Sequence, residues 1–295
     1  MKDSPVFDLI ISTLRVSTPL IFAALGGMLS ERSGVINIAL EGLMLVGAFF
    51  GAVVALSAHS PWIGSLAALA AGGVLALFYG LLVIRLRANQ IVAGTAINML
   101  AMGLTPFLSK VFYGSTTAIP SLPIESRFHA APILLAWVFV ILAWYWIYHL
   151  PSGLWVRFAG EHPHALETVG VRVNRVRWVS VFASGCLAGL GGASLSLFLA
   201  STYSRNMTAG RGFMALAALI FGRWMPIPAA LACVLFGFVD AIQIRLQGVI
   251  LWGAEPVPVQ FIQILPYVIT IAVLAAFGSG KSGAPKSLGI PFSQK

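Results

Sequence analysis

Two apolar runs, LIISTLRVSTPLIFAALGGML (9–29) and VINIALEGLMLVGAFFGAVVALS (35–57), stand on either side of the polar stretch SERSG (30–34). Each run has the roughly 20 residues that an α-helix needs to cross the hydrocarbon core of a bilayer. Only helices and closed barrels satisfy every backbone polar group in lipid. The pair therefore predicts two membrane-spanning helices joined by a short turn.

The rest of the chain repeats this pattern of long apolar runs and short polar links. Further runs of spanning length lie at 62–84, 91–112, 131–149, 178–201, 226–247 and 261–279. One run, 212–222, is too short to cross and predicts a half-helix or re-entrant segment, which is tolerated only where protein or a water-filled cavity covers it. The sequence thus predicts an all-α polytopic membrane protein, one domain over 1–295, with about eight transmembrane helices plus this short segment.

Composition supports the same class. Hydrophobic residues make up 59% of the chain and charged residues only 9%, which lies outside the range of soluble globular domains. The net charge of +9 comes from basic residues scattered among the loops, so we expect contact with anionic lipid and no binding of nucleic acid. Cys186 and Cys233 both fall inside apolar runs, where a thiol behaves as a small hydrophobe.

The positions of lysine and arginine indicate the orientation in the membrane. If 131–149 runs inward, the links at 30–34, 85–89 and 150–177, the turn at 223 and the tail 280–295 share the cytoplasmic side, and these segments hold 11 of the 18 basic residues. The positive-inside rule then places the amino terminus outside and the carboxyl terminus in the cytoplasm.

Three polar residues within the apolar runs are candidates for the translocation pathway. Asn37 and Glu41 are four residues apart and share one helical face, with glycines on both sides, and Asn98 lies in the fourth run. Strongly polar side chains in the membrane are costly and usually functional. They are expected either to line a cavity or to tie their helix to a neighbour, and the sequence alone leaves both readings open.

The longest inner link contains EHPHALETVG (161–170), which predicts a short helix with Pro163 in its first turn and Gly170 at its end. Such a helix between two spans suits docking to a cytosolic partner, although an interfacial helix near anionic lipid has the same pattern.

Two apparent motifs predict no chemistry. The stretch GSGKS (278–282) imitates a phosphate-binding loop, but Ala275 stands where the first glycine belongs and a membrane helix precedes it. His162 and His164 flank a proline without further ligands, so we expect no metal, no catalytic group and no cofactor.

Several stretches resemble the permease subunits of bacterial ATP-binding-cassette importers of the ribose, nucleoside and branched-chain amino acid group, most of all the shorter permease of nucleoside importers. The resemblance covers nearly the whole chain. The stretches that carry it are SERSGVINIALEG (30–42), IRLRANQIVAGTAINML (84–100), FAGEHPHALETVGVRVNRVR (158–177), GRGFMALAALIFGRWMP (210–226) and APKSLGIPF (284–292).

The resemblance implies an inner-membrane permease that forms half of a pathway for nucleosides or related sugars. Its partners would be a cytosolic ATP-binding subunit, a second permease subunit of different or identical sequence, and an extracytoplasmic solute-binding protein. It also implies that 158–177 is the coupling loop, in which the residues that dock on the ATPase are Gly160, Glu161, His162, Pro163, Ala165 and Gly170. At His162 the family usually has asparagine. The alternative is an ion-coupled secondary transporter without an ATPase, which should carry paired intramembrane carboxylates.

Overall fold

The computed structural model describes residues 5–246, 264, 268 and 283–292, and within these ranges the chain is helical with short links. The α-helices in chain order are α1 (Pro5–Arg32), α2 (Leu40–Ala58), α3 (Pro61–Gly80), α4 (Gln90–Tyr113), α5 (Ala131–His149), α6 (Pro151–Glu161), α7 (Pro163–Thr168), α8 (Val173–Ser194), α9 (Arg211–Phe221) and α10 (Pro226–Leu246). Helices α3 and α8 each continue into one π-helical turn, Leu81–Arg85 and Leu195–Leu199.

Seven of the helical segments in the described residues are long and apolar enough to cross a membrane. They correspond to the first seven spans that the sequence predicts. The predicted eighth span, 261–279, lies outside the described residues apart from positions 264 and 268. The predicted half-helix is confirmed as α9, whose 11 residues extend about 16 Å, roughly half of the hydrocarbon core.

Three boundaries differ from the predictions. The second span was expected from residue 35, but α2 begins at Leu40 and residues 33–39 are not helical. Helix α8 begins at Val173 instead of 178, so part of the basic run 172–177 is helical. The inner link 150–177 holds two helices, because Pro151 and Pro163 each start one of them at a first-turn position that suits proline.

Close contact between α2, α3 and α8 is made by glycines. A Cβ atom at Gly192 would lie 1.9 Å from the Met44 carbonyl oxygen, and one at Gly47 would lie 2.4 Å from the Gly189 Cα. A Cβ at Gly72 would lie 2.3 Å from the Gly185 carbonyl oxygen. Small residues allow such backbone approach in lipid, where helices associate through packing. These three helices form the centre of the described fold, with α1 packed against α8.

The links gather on two opposite faces of the helices. On one face, Arg32 pairs with Glu161 at 3.9 Å and donates to the Trp224 carbonyl, so the ends of α1, α6 and α9 meet there. On the other face, the link after α4 pairs with the link after α8 through the Ala118–Ser204 bridge. The segments that the charge count assigns to the cytoplasm therefore include three that lie together on the first face.

Candidate functional site

The non-helical residues 33–39, called the broken segment below, lie deep in the fold. Asn37 Nδ2 donates to Ser184 Oγ at 2.8 Å. Ser184 stands eleven residues beyond Val173 in α8, a distance of roughly 17 Å along an α-helix at about 1.5 Å per residue. Non-helical backbone at such depth is tolerated where protein covers it, and Ser33, Asn37 and Ala39 are all fully buried.

Much of the backbone of the broken segment is hydrogen-bonded to side chains of the surrounding helices. Its Ile36 N–H donates to Gln90 Oε1 at 2.8 Å. The side chains that donate to its carbonyl oxygens come from four helices: Ser30 to Val35 at 2.8 Å, Tyr79 to Ile36, Asn98 to Ile38 at 2.9 Å, and Arg177 to Ser33 at 3.1 Å. These bonds replace the helical ones, since a buried peptide group without a partner is costly.

Glu41 joins α2 to the start of the half-helix α9. Its Oε1 accepts from the Gly210 N–H at 2.8 Å and its Oε2 accepts from the Gly212 N–H at 2.7 Å, and its side chain is only 5% exposed. The first amides of a helix lack intrahelical partners and carry a partial positive charge. The carboxylate therefore satisfies two free donors and compensates the dipole of α9.

Gly212 is required at this contact because of its size. A Cβ at position 212 would lie 2.5 Å from both the backbone nitrogen and the Cα of Glu41. The first turn of α9 and the first turn of α2 therefore touch through backbone atoms, with the carboxylate bridging them.

The other end of α9 is held by the last turn of α1. In the link from α9 to α10, Trp224 donates from Nε1 to Glu31 Oε2 at 2.5 Å, and its carbonyl oxygen accepts from Arg32 Nε at 2.8 Å. Arg223 and Trp224 both have positive φ angles, 51° and 55°. The half-helix is thus fastened at both ends by residues of the stretch 31–41.

Hydrogen bonds between different elements are made by all three candidate pathway residues, Asn37, Glu41 and Asn98. Tying a helix to its neighbour is one of the two roles that the sequence left open for them. Asn98 Oδ1 accepts from the Gly42 N–H at 2.8 Å, in addition to its bond with Ile38. Asn37 Oδ1 is buried and has no hydrogen-bond partner among the residues that the structure describes. The three residues belong to one polar network around the broken segment, and a place beside the pathway stays a prediction.

The six residues expected at the ATPase differ in exposure. Gly160 is buried, and a Cβ there would lie 2.3 Å from the Arg32 carbonyl oxygen. Pro163 is also buried, whereas His162 and Ala165 are exposed and Glu161 is intermediate. Gly170 has φ +84°, and no atom of the described part of the chain lies within 4 Å of a Cβ position there, as expected for a left-handed helix end.

The exposed residues around α7 form a surface strip, His162, His164, Ala165 and Thr168 to Gly170. Within it Val169 is 79% exposed. A cavity of about 550 Å³ adjoins the strip and is also lined by tail residues, among them Ser287, Pro291 and Phe292. This surface can receive a protein segment that contains both apolar and polar groups.

The structure contains three features that were not predicted from the sequence: the contacts of Glu31, the contacts of Arg177 and the packing of the tail. Arg177, which the sequence places in a basic inner link, is 3% exposed, and Phe292 of the tail is 6% exposed. One signal was available for Glu31, since it lies ten residues before Glu41 with an apolar run between them. Within the described residues, no group of three or more His, Cys, Asp or Glu side chains could hold a metal ion.

Comparison with known proteins places this architecture in a family. Residues 9–274 match the model of the family described as the branched-chain amino acid transport system permease component. The chain belongs to this permease family. It is therefore a multi-pass transmembrane permease with an all-α fold.

Two named relatives of this permease match it over nearly its full length, and a third over about three quarters. The guanosine ABC transporter permease protein NupQ of Bacillus subtilis (strain 168) is 38% identical, and the match covers 95% of each chain. The nucleoside ABC transporter permease protein NupC of Lactococcus lactis subsp. cremoris is 36% identical over 96% of each chain. A second Bacillus subtilis protein, the guanosine ABC transporter permease protein NupP, is 27% identical over 76% of this permease and 70% of its own length.

Proposed function

We propose that this permease forms half of the translocation pathway of an ATP-driven nucleoside importer in a bacterial inner membrane. The observation that carries the proposal is the similarity to NupQ and NupC, which extends over almost the whole of each chain. Related ribosyl compounds or sugars are the neighbouring solute classes. ATP hydrolysis belongs to a separate subunit, and no bond is made or broken in this chain.

We further propose that Asn37, Glu41 and Asn98 act beside the pathway by holding the half-helix and the broken segment in place. Both elements interrupt regular helix at membrane depth, as binding regions of transporters do. The support is the pair of bonds from Glu41 to the amides of α9 and the two bonds of Asn98. Alternating access then requires these fastened elements to shift together.

The surface strip on α7 is proposed to dock on the ATP-binding subunit. Ala165 and His162 are the exposed members of the expected set, while Gly160 and Pro163 shape the strip from beneath. A short helix fixed between two spans transmits a push better than a flexible link, because few of its backbone bonds can rotate freely.

The orientation stays a proposal, with the amino terminus outside and the α6–α7 links and the tail in the cytoplasm. Its support is the charge distribution together with the contact of Arg32 with Glu161 and Trp224, which puts the ends of α1, α6 and α9 on one face. The solute-binding protein would meet the opposite face.

The second permease subunit is proposed to be a different chain. Bacillus subtilis has two guanosine ABC transporter permease proteins, and this permease is more similar to NupQ than to NupP. The alternative of an ion-coupled transporter acting alone is not favoured, because the named relatives are ABC transporter permeases.

Reconstituted transport tests the function. Proteoliposomes that contain this permease, the ATP-binding subunit and the second permease should take up radiolabelled guanosine when ATP and the solute-binding protein are supplied on opposite sides. Uptake should stop without ATP and be reduced by competing nucleosides. Uptake by this chain alone, driven by a sodium or proton gradient, would refute the proposal.

A paired substitution tests the docking strip. Ala165→Trp places a bulky group on the strip and should weaken association with the ATP-binding subunit and abolish uptake, while insertion in the membrane is unchanged. Ala58→Trp is the control, since Ala58 is also exposed but lies at the opposite end of a span. If the ATPase associates equally with both variants, the docking proposal is wrong and α7 is an interfacial helix that only connects two spans.

A further inference from the structure

Arg177 is a buried cation that contacts three separate parts of the chain. Its Nε donates to the Ser33 carbonyl at 3.1 Å, its Nη1 to the Ile290 carbonyl at 2.9 Å and its Nη2 to the Ala159 carbonyl at 3.5 Å. The three acceptors belong to the broken segment, the tail and α6. A guanidinium group has its donors in a fixed planar fork, so it can hold these carbonyls in one arrangement.

The glycine at position 34 makes room for this fork. Gly34 has φ +94°, and a Cβ there would lie 2.7 Å from Arg177 Nη2. A side chain at this position would be both strained and in collision with the guanidinium. The SERSG stretch therefore contributes two things to the contact with Arg177: the Ser33 carbonyl that accepts its hydrogen bond, and the space left by the missing side chain of Gly34.

The tail closes the arrangement from the other side. The Ser287 N–H donates to the Gly160 carbonyl at 2.8 Å, and the Gly289 N–H donates to the Gly34 carbonyl at 3.1 Å. Phe292 packs with Ala159, Leu166 and Val173 in a small apolar cluster. Its ring centroid also lies 6.0 Å from the Arg177 guanidinium, within reach of a cation–π contact.

These contacts connect the docking strip to the membrane interior. Leu166 of α7 lies in the cluster with Phe292, and Ala159 of α6 binds Arg177. Arg177 binds the broken segment, whose neighbours Glu31 and Glu41 hold the two ends of α9. The path from the strip to the half-helix thus consists of packed side chains, hydrogen bonds and the backbone of the stretch 31–41.

We propose that Arg177 is a positioning residue for transport, which joins α6–α7, the tail and the broken segment so that they move as one unit. The inference rests on the proposed function, since it concerns how a push on α7 reaches the half-helix. When the ATPase moves α7, the guanidinium pulls the Ser33 carbonyl with it. The tail is part of this unit and prevents the segments from separating.

The test compares Arg177→Lys with Arg175→Lys in the reconstituted transporter. Lysine keeps the charge but loses the fork, and Arg175 is an exposed arginine two residues away on the same helix. Three quantities are measured: the amount of assembled complex, the ATPase rate stimulated by the solute-binding protein, and the nucleoside taken up per ATP hydrolysed.

For Arg177→Lys we expect the complex to assemble and to hydrolyse ATP. Uptake per ATP should be reduced by about tenfold or more, because the free energy of a single charge-assisted hydrogen bond corresponds to at least that factor. Arg175→Lys should match the parent. Uptake per ATP within about twofold of the parent would overturn the inference, because a difference of that size is below the contribution of one hydrogen bond. So would a fall in uptake that only follows a loss of assembled complex.

A second variant covers the case in which Arg177→Lys fails to fold. A stop codon after Pro285 removes the Ile290 carbonyl and Phe292 and leaves intact the seven spanning helices of the described residues, together with the apolar run 261–279. This truncation should also reduce uptake per ATP, and normal coupling in the truncated permease would refute the role of the tail. If the unaltered transporter takes up no nucleoside with ATP, the proposed function is wrong. If it takes up nucleoside with ATP, and both variants take up as much per ATP as the parent, only the inference about Arg177 and the tail is wrong.

Discussion

Glu41→Gln removes one negative charge from the junction of α2 and α9 without changing the shape of the side chain. The carboxylate accepts two hydrogen bonds, from the Gly210 N–H at 2.8 Å and the Gly212 N–H at 2.7 Å. Glutamine has one acceptor oxygen and presents an NH₂ group to the other amide. One bond is therefore lost, and one buried N–H is left facing another donor.

The expected cost can be estimated from these contacts. A hydrogen bond to a charged group contributes about 1.5–3 kcal/mol, and a carboxylate at a helix amino terminus adds about 0.3–1 kcal/mol. Glu41 is only 5% exposed, so water cannot replace the lost acceptor. We expect the substitution to lower the free energy of unfolding by about 2–4 kcal/mol.

Thermal unfolding in detergent measures this loss, with uptake in proteoliposomes as the functional readout. The apparent Tm should fall by about 4 °C or more, since 1 kcal/mol corresponds to roughly 2–4 °C in chains somewhat shorter than this one. Glu125→Gln is the matched control, because Glu125 is exposed in the link before α5. If Glu41→Gln has the Tm of the control and full uptake, the carboxylate does not hold α9.

Two further predictions concern contacts in the structure, and a third concerns the sequence at 275–282. Gly192→Ala should destabilise the permease or block its assembly, because its Cβ would lie 1.9 Å from a carbonyl oxygen. Gly103→Ala is the control and should have the Tm of the parent, because no described atom lies within 4 Å of a Cβ at that position. Equal Tm values for the two variants would contradict the packing. Trp224→Phe leaves the Glu31 carboxylate without its 2.5 Å donor and should lower the stability by about 1–3 kcal/mol in a denaturation assay, and an unchanged stability would mean that the bond contributes little. The purified permease alone should not hydrolyse ATP in a phosphate-release assay, and hydrolysis that disappears in Lys281→Ala would assign a nucleotide site to this chain.

The spans could be predicted from the sequence because apolar length is a local property. Seven of the predicted runs and the half-helix α9 correspond to helices of the described structure. The turn at 30–34 was predicted, but its continuation as non-helical backbone through 35–39 was not, since VINIAL (35–40) continues an apolar run and contains no proline. Its backbone is stabilised by residues such as Tyr79 and Gln90, whose proximity is a consequence of the tertiary fold.

The candidate site was predicted in its residues but not in its geometry. Asn37, Glu41 and Asn98 were recognised because polar side chains are rare in apolar runs. Arg177 was counted only as one of the basic residues of an inner link, because a sequence cannot distinguish an arginine in solvent from one buried among carbonyl oxygens. The burial of Arg177 depends on the carbonyl oxygens of Ser33, Ala159 and Ile290. These residues are far apart in the sequence and come together only in the tertiary fold.

The glycine contacts between α2, α3 and α8 have a consequence for measuring motion. Where backbones touch, as Gly47 and Gly189 do, no side chain can change rotamer to let the helices slide. Distances between spin labels on α2 and α8 should therefore stay constant through the transport cycle and serve as an internal ruler. Labels on α4, whose outward residues include Met99 at 76% exposure, can then be measured against that fixed frame.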